Sequence, residues 1–301
     1  SIKKKDVHLK SITIDDEIYY QISNNDAMRP FFMSIVSDSN HWMFISSNGG
    51  LTAGRKNSEY ALFPYYTDDK ITESADITLA VRSLGSYTTT QNLYKNRYGN
   101  KIIFEEINHD LELIFRYQWS SSNVFGFVKK SKLINTGNEA VKVCLLDGIQ
   151  NIMPASIGSD EQNQSSNLVD AYKRNELEEA TGLGIFALSA ILVDKAEASE
   201  ALRANIVWSL GLENPKHLLS SLQLNDFRLG KSLEQEVDVK AEKGAYFLTT
   251  DVFLEKGASK EWMIVANVHQ NHSNIAKLSK QIRDDSSLLE KVNNDINLGT
   301  K

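Results

Sequence analysis

"FGFVKKSKLINTGNEAVKVCLLDG", residues 125–148, sets two apolar-rich runs around the polar segment NTGNE. Short runs rich in Val, Ile, Leu and Phe, bounded by Gly and Asn, read as β-strands, and the stretch is expected to form a hairpin. The same grammar repeats in both directions along the chain. In SITIDDEIYYQI, Ile12 and Ile14, then Ile18, Tyr20 and Ile22, alternate on either side of Asp15 and Asp16, which marks two half-buried strands and a polar turn. FFMSIVSDSNHWMFIS reads as two strands about Ser-Asp-Ser-Asn, and KIIFEEINHDLELIFRYQW as two about residues 108–110. Later, EVDVKAEKGAYFLTTDVFLEKGASKEWMIVANV supplies three strands separated by EKG and EKGASKE. There are only four prolines and no βαβ rhythm, so the chain is expected to be mainly β, a large antiparallel sandwich.

Two stretches depart from this pattern. In PKHLLSSLQLNDFRLGKSLEQE, Leu218, Leu219 and Leu222 stand at helical spacing, with Pro215 in the first turn and Asn214 as cap, so a short helix is expected near 215–222. Near the C-terminus Ile275, Ile282, Leu289 and Ile296 recur every seven residues, Leu278 and Val292 fill intermediate places, and Asp285 interrupts them. That is an amphipathic helix broken at RDDSS, either lying on its own sandwich or connecting to a further domain. The expected division is a β domain over 1–270 and a helical segment over 271–301.

Composition excludes several functions. Of the 301 residues, 33 are basic and 39 acidic, for a net charge of −6, and the two signs are mixed along the chain. No basic footprint for nucleic acid exists. There is no long apolar run for a membrane span and no signal segment, so a soluble protein of the cytoplasm is expected. The chain starts at Ser rather than Met and reads as a processed or cut product. A single cysteine, Cys144, rules out an intrachain disulfide; in VKVCLLDG it is expected to be a buried, inert thiol.

The segment GGLTAGRKNSEYALFPYYTDD carries Gly49 and Gly54 at the spacing of a phosphate-binding loop. Such a loop needs Lys and then Ser or Thr after the second glycine, and a helix to follow. Arg55 and Lys56 stand there instead, and Pro64 comes too soon for that helix. What the segment does concentrate is Thr52, Arg55, Asn57, Tyr60, Tyr65, Tyr66, Asp68 and Asp69. Aromatic faces that stack on sugar rings, beside amides, carboxylates and guanidinium groups that bind hydroxyls, suit a carbohydrate site. A second dense polar group, Asp170, Tyr172, Lys173, Arg174 and Glu176, precedes TGLG on either a helix starting at 166–167 or a strand with a wide loop. The candidate carbohydrate contacts are Arg55, Asn57, Tyr66, Asp68, Tyr172 and Arg174.

Gly50, Thr52, Asn57, Ser58, Pro64 and Asp68, in that order and spacing, resemble the early segment of the cellobiose and chitobiose phosphorylases, glycoside hydrolase family 94. KKSKLINTGNEAVKVCLLDG, with Asn135 and Gly137 in its turn, resembles the recurring hairpin of galactose-mutarotase-like super-sandwiches. The resemblance runs over residues 15–270 and implies such a super-sandwich, with the helical tail as a linker to an (α/α)-barrel catalytic domain of the same parent chain. It implies an oligosaccharide or glucan as ligand, a homodimer interface and no cofactor. Ala53 and Gly54 stand where that family carries an aromatic residue, so no ring contact is carried over to that point.

Other chemistry stays open at this level. Glycoside hydrolysis needs two carboxylates about 5 to 9.5 Å apart; Glu105, Glu106, Asp110, Asp147, Asp170 and Glu176 are available, each expected to be a solvated edge or turn charge. A self-sufficient epimerase would need a histidine facing a carboxylate, and of the six histidines His269 is best placed. His269 and His272 lack a third ligand nearby, so no metal is expected. Three readings follow: an N-terminal domain of a glycan phosphorylase or hydrolase, a sugar-ring epimerase, or a glycan-binding module without chemistry.

Overall fold

The computed structural model describes residues 9–23, 31–35, 37, 40–47, 49, 51–55, 60–62, 78–79, 87–157, 162, 165–189 and 203–299. Along them come β1 (Leu9–Ile14), β2 (Glu17–Ser23), β3 (Phe32–Ile35), β4 (His41–Ser46), β5 (Leu51–Arg55), β6 (Tyr60–Ala61) and β7 (Thr78–Leu79). Next are β8 (Thr89–Asn96), β9 (Lys101–Asn108), β10 (Leu113–Ser122), β11 (Gly126–Asn135), β12 (Val141–Ile152), α1 (Ser166–Tyr172), β13 (Lys173–Glu178) and β14 (Leu183–Leu188). The chain continues through β15 (Arg203–Leu210), β16 (Lys216–Leu218), α2 (Leu224–Arg228), β17 (Asp238–Lys240), β18 (Gly244–Leu254), β19 (Ser259–Asn271), α3 (His272–Asp284) and α4 (Leu288–Leu298). The fold is mainly β, as the alternation predicts. Its largest element is an eleven-stranded antiparallel sheet in the order β1-β2-β8-β9-β10-β11-β19-β15-β14-β13-β17. Two four-stranded sheets, β16-β18-β12-β7 and β3-β4-β5-β6, pack against it.

Alternation decides what each strand buries. On β10 the inward side chains Phe115, Tyr117 and Trp119 join Leu133 of β11, Trp262 and Ile264 of β19, Leu145 and Ile149 of β12, and Met43 and Ile45 of β4 in one core between the sheets. Part of the opposite face of the large sheet is covered by the C-terminal helices. Leu288, Val292 and Ile296 of α4 are buried there on Val128, Trp208, Met263 and Val265, while Ile275, Leu278 and Ile282 of α3 are half-buried. The heptad places thus pack on the chain's own sheet, and the break falls at Asp285, whose carboxylate caps Ser287 and pairs with Lys291.

The expected hairpins β1–β2, β3–β4 and β9–β10 are present, with Ile14 opposite Glu17, Ile35 opposite Met43 and Leu113 opposite Asn108. The opening stretch differs. Its two strands exist, but β11 pairs with β10 and β19 in the large sheet, whereas β12 pairs with β18 and β7 in a smaller one. NTGNE is therefore an arch from one layer to the other. The links β17–β18 and β18–β19 are crossings of the same kind. Asn135, fully buried, fastens two arches at once: its Nδ2 donates to the carbonyls of Glu139, Leu254 and Glu255, and its Oδ1 accepts from the Gly137 N–H.

The helix expected near 215–222 is corrected to β16, followed by α2. Leu218 joins the cluster formed with Leu224, Phe227 and Phe247, and Leu219 the main core, so adjacent leucines are buried on opposite sides, as in extended chain. Leu222, needed on the helical stripe, is 64% exposed. The expectation for Cys144 is also overturned: it is exposed. The cover over the outer side of β12 reaches Leu146 but not Cys144, and partial burial of the sulfur, then the Asp251 charge, raises the thiol's pKa.

Among the described residues, one charged pair is wholly buried, and it lies between the layers. Lys129 of β11 donates to Asp147 Oδ1 of β12 at 2.5 Å and to the Gly148 carbonyl at 3.0 Å, and both side chains are 0% exposed. Ser131 Oγ and Trp262 Nε1 donate to Asp147 Oδ2 at 2.8 and 2.7 Å, and the ammonium lies 5.1 Å from the Tyr117 ring centre. A buried charge is tolerated only when it is paired and hydrogen-bonded, as it is here. The solvated role expected for Asp147 is thereby corrected.

Candidate functional site

The face of the large sheet opposite the core carries a polar row. Since Phe104, Phe115, Leu133 and Trp262 point inward, their neighbours Glu105, Arg116, Lys132 and Glu261 point outward. Register aligns Asn92 with Glu105, Glu105 with Arg116, Arg116 with Lys132, and Lys132 with Glu261, so one row crosses five strands. Glu105 is only 4% exposed. Its Oε1 accepts from Asn92 Nδ2 at 2.8 Å and from the Tyr94 hydroxyl at 2.7 Å, while Arg116 Nε donates to Oε2. Burial, then the bond to Glu105, holds the Tyr94 phenol in its protonated form well above the ordinary range. At the other end Lys130 and Lys132 close on Glu261 at 3.3 and 2.8 Å. Burial acts to raise the Glu261 pKa, but the two lysines outweigh it and hold the carboxyl below its usual value.

The next row carries Gln118, whose Oε1 accepts from the Tyr19 hydroxyl, and Gln21 donates to Tyr94. The helices cover the sheet at Val128, Met263 and Val265 and leave this polar row beyond them. Arg116, Lys130 and Lys132 keep about a third of their side-chain surface in solvent, at 33%, 29% and 35%. One sheet face thus carries a guanidinium, three amides, two ammonium groups and two carboxylates, with Asn92 and Glu105 buried and Arg116, Lys130 and Lys132 reaching solvent. Glu105 and Glu261 are three strand spacings apart, roughly 14 Å, beyond the reach of a glycosidic acid and nucleophile pair. Of the other described carboxylates, Asp170 is bound to Lys173 and Glu176 to Arg174.

The residues expected from sequence fall in different places. Asn57, Tyr66 and Asp68 lie outside the described residues, as do Gly50, Ser58 and Pro64. Arg55 ends β5 and, by alternation with Leu51 and Ala53, points toward the core. Tyr172 ends α1, and Arg174 lies on the outer face of β13, where it holds Asp238 at 3.1 Å and Glu176 at 2.9 Å. Arg55 and Arg174 are therefore not brought together. The polar row escaped the sequence reading apart from Glu105. Its signal was charge at every second strand position, as in Arg116 and Gln118 or Lys130 and Lys132.

The histidines are set mainly by burial. His41 of β4 stands opposite Arg55 and packs edge-on against Phe127 at 5.1 Å. Burial, and then the Arg55 charge, lowers its pKa to about 4. His217 is likewise lowered by burial. His109 bonds Thr90, and His269, with φ of 55°, takes Asn205 Oδ1 on its backbone N–H. A depressed histidine pKa means the unfolded chain binds the proton first, so stability is full above pH 6.5 and falls as pH drops toward 4. For His41 the loss is on the order of 3 kcal/mol. His41→Gln is expected to flatten chemical denaturation midpoints between pH 4 and 6.5; an unchanged slope would refute this assignment.

Among the described residues, no group of three or more His, Cys, Asp or Glu side chains could hold a metal, and no helix is long and apolar enough to cross a membrane. No protein-family model and no curated protein matches the chain. Solved structures do resemble it. A bacterial glucoamylase complexed with acarbose aligns with TM-score 0.40 and 9% identity over 98% of this chain and 39% of that one. An aldose 1-epimerase assignment from Klebsiella pneumoniae gives 0.40 and 7% over 90% of both chains, and heparan sulfate lyase HepC from Pedobacter heparinus 0.38 and 10% over 80% and 37%. The chain thus spans well under half the length of the glucoamylase and of the lyase.

Proposed function

We propose that this chain is a carbohydrate-binding, structural domain of a larger carbohydrate-active enzyme, a glycan phosphorylase or glycoside hydrolase, whose chemistry belongs to another domain. The observation that carries this reading is the row Asn92, Glu105, Arg116, Lys132 and Glu261, in which Arg116 and Lys132 hold charged donors at the sheet surface. The separation of its two carboxylates favours binding over bond cleavage. In this reading the segment with Asn57, Tyr66 and Asp68 and the edge with Tyr172 and Arg174 are further glycan contacts, and the helical tail is the link to an (α/α)-barrel. The galactose-mutarotase-like super-sandwich is the architecture that fits this role.

Calorimetric titration of the chain with a panel of oligosaccharides tests it. Saturable binding is expected, and Arg116→Gln or Lys132→Ala should weaken it roughly 10- to 100-fold, the worth of a hydrogen bond from a charged donor. Lys142→Ala, which breaks an exposed pair with Asp251 on another sheet, should leave affinity unchanged. Absence of heat across the panel, or equal affinity in all three variants, rejects the reading.

A further inference from the structure

The charged pair between the layers has no part in that surface, and it sets an amine directly against a carboxyl group inside the core. Lys129 Nζ lies 2.5 Å from Asp147 Oδ1, both groups are wholly removed from water, and the other carboxylate oxygen is held by two donors, Ser131 Oγ and Trp262 Nε1. We propose that Lys129 and Asp147 join as an intramolecular isopeptide bond, a covalent tie between the large sheet and the sheet of β12.

The step needs no external reagent. The step begins with transfer of a proton from Nζ to Oδ1 along the hydrogen bond that joins them. The freed lone pair of Nζ then attacks Asp147 Cγ and forms the C–N bond. Negative charge builds on Oδ2, the oxygen that already accepts from Ser131 Oγ and Trp262 Nε1 at 2.8 and 2.7 Å, so both donors act on the developing oxyanion. A proton moves from Nζ to Oδ1, the C–Oδ1 bond breaks, and Oδ1 leaves as water. One amide and one water replace one amine and one acid, with no change of oxidation state. The Gly148 carbonyl, 3.0 Å from Nζ, orients the amine, and burial keeps water from the product.

Intact-mass measurement of the denatured wild-type chain tests this. The expected mass is that of the sequence less one water, with a digest in which peptides containing Lys129 and Asp147 travel together. Asp147→Asn distinguishes the chemistry: it should yield the same amide with loss of one ammonia, so that the cross-linked wild type and variant have identical mass. Lys129→Arg, which keeps the charge without an attacking amine, should show its full sequence mass. Wild-type protein, folded by circular dichroism, that retains its full sequence mass after prolonged incubation overturns the proposal, and that result stands whether or not the variants fold.

Discussion

Gly148→Ala is expected to destabilise the chain by about 4 kcal/mol or more, enough to leave much of it insoluble on expression. A Cβ there would lie 2.2 Å from the Tyr246 carbonyl oxygen and 2.8 Å from the Phe247 Cα, both backbone atoms of the neighbouring strand. No rotamer can relieve such a clash, so β12 and β18 must separate. Their ladder runs from Val141 opposite Leu254 to Ile152 opposite Gly244, and it holds the smaller layer together. Gly257→Ala provides the contrast. No atom lies within 4 Å of a Cβ at that site, and the cost is only that of a side chain at φ +71°, about 1 kcal/mol. Denaturant melts of the two variants separate steric from conformational cost; a Gly148→Ala protein within about 1 kcal/mol of wild type would contradict the packing described for β12 and β18.

The same strands show what sequence could and could not reveal. Strand positions were legible because burial on one face imposes period two, and β1–β2, β3–β4 and β9–β10 were legible as pairs because short polar turns return the chain beside itself. A turn signal reports only that the chain reverses. It does not say whether the returning strand hydrogen-bonds to the first or stacks across the core, and at 135–139 it stacks. Lys129, Ser131 and Asp147 were polar residues at inward places, yet their compensation required Trp262, which is far away in sequence. The leucines at 218 and 219 fit a helix by spacing and a strand by burial, and tertiary cover decided for the strand. The candidate site was legible only in part for a similar reason. A local cluster such as Tyr172 and Arg174 is visible in one line of sequence, whereas a row assembled from five strands needs the register.

Asn135→Ala should cost roughly 3–5 kcal/mol and loosen two distant segments together. The side chain, itself 0% exposed, donates to three carbonyls, at 2.7, 3.1 and 3.3 Å, and accepts the Gly137 N–H at 2.9 Å. Each hydrogen bond is worth little net, but a buried group left unpaired loses its hydration as well, and here several are orphaned by one truncation. Asn135→Asp should be worse than Ala in spite of its shape. A carboxylate cannot donate and would face the carbonyls of Glu139, Leu254 and Glu255 with like polarity. Exposed Asn138 in the same turn should tolerate alanine within about 0.5 kcal/mol. Hydrogen exchange read by mass spectrometry provides the decisive comparison. Peptides over residues 133–142 and 252–260 should both exchange faster in Asn135→Ala, because one amide closes both arches. Faster exchange in only the first would reduce Asn135 to a local turn residue and leave the second arch to be held by β18 and β19 alone. The consequence reaches the polar row, since Lys132 and Glu261 stand on the two strands that enter these arches, and their spacing depends on both staying closed.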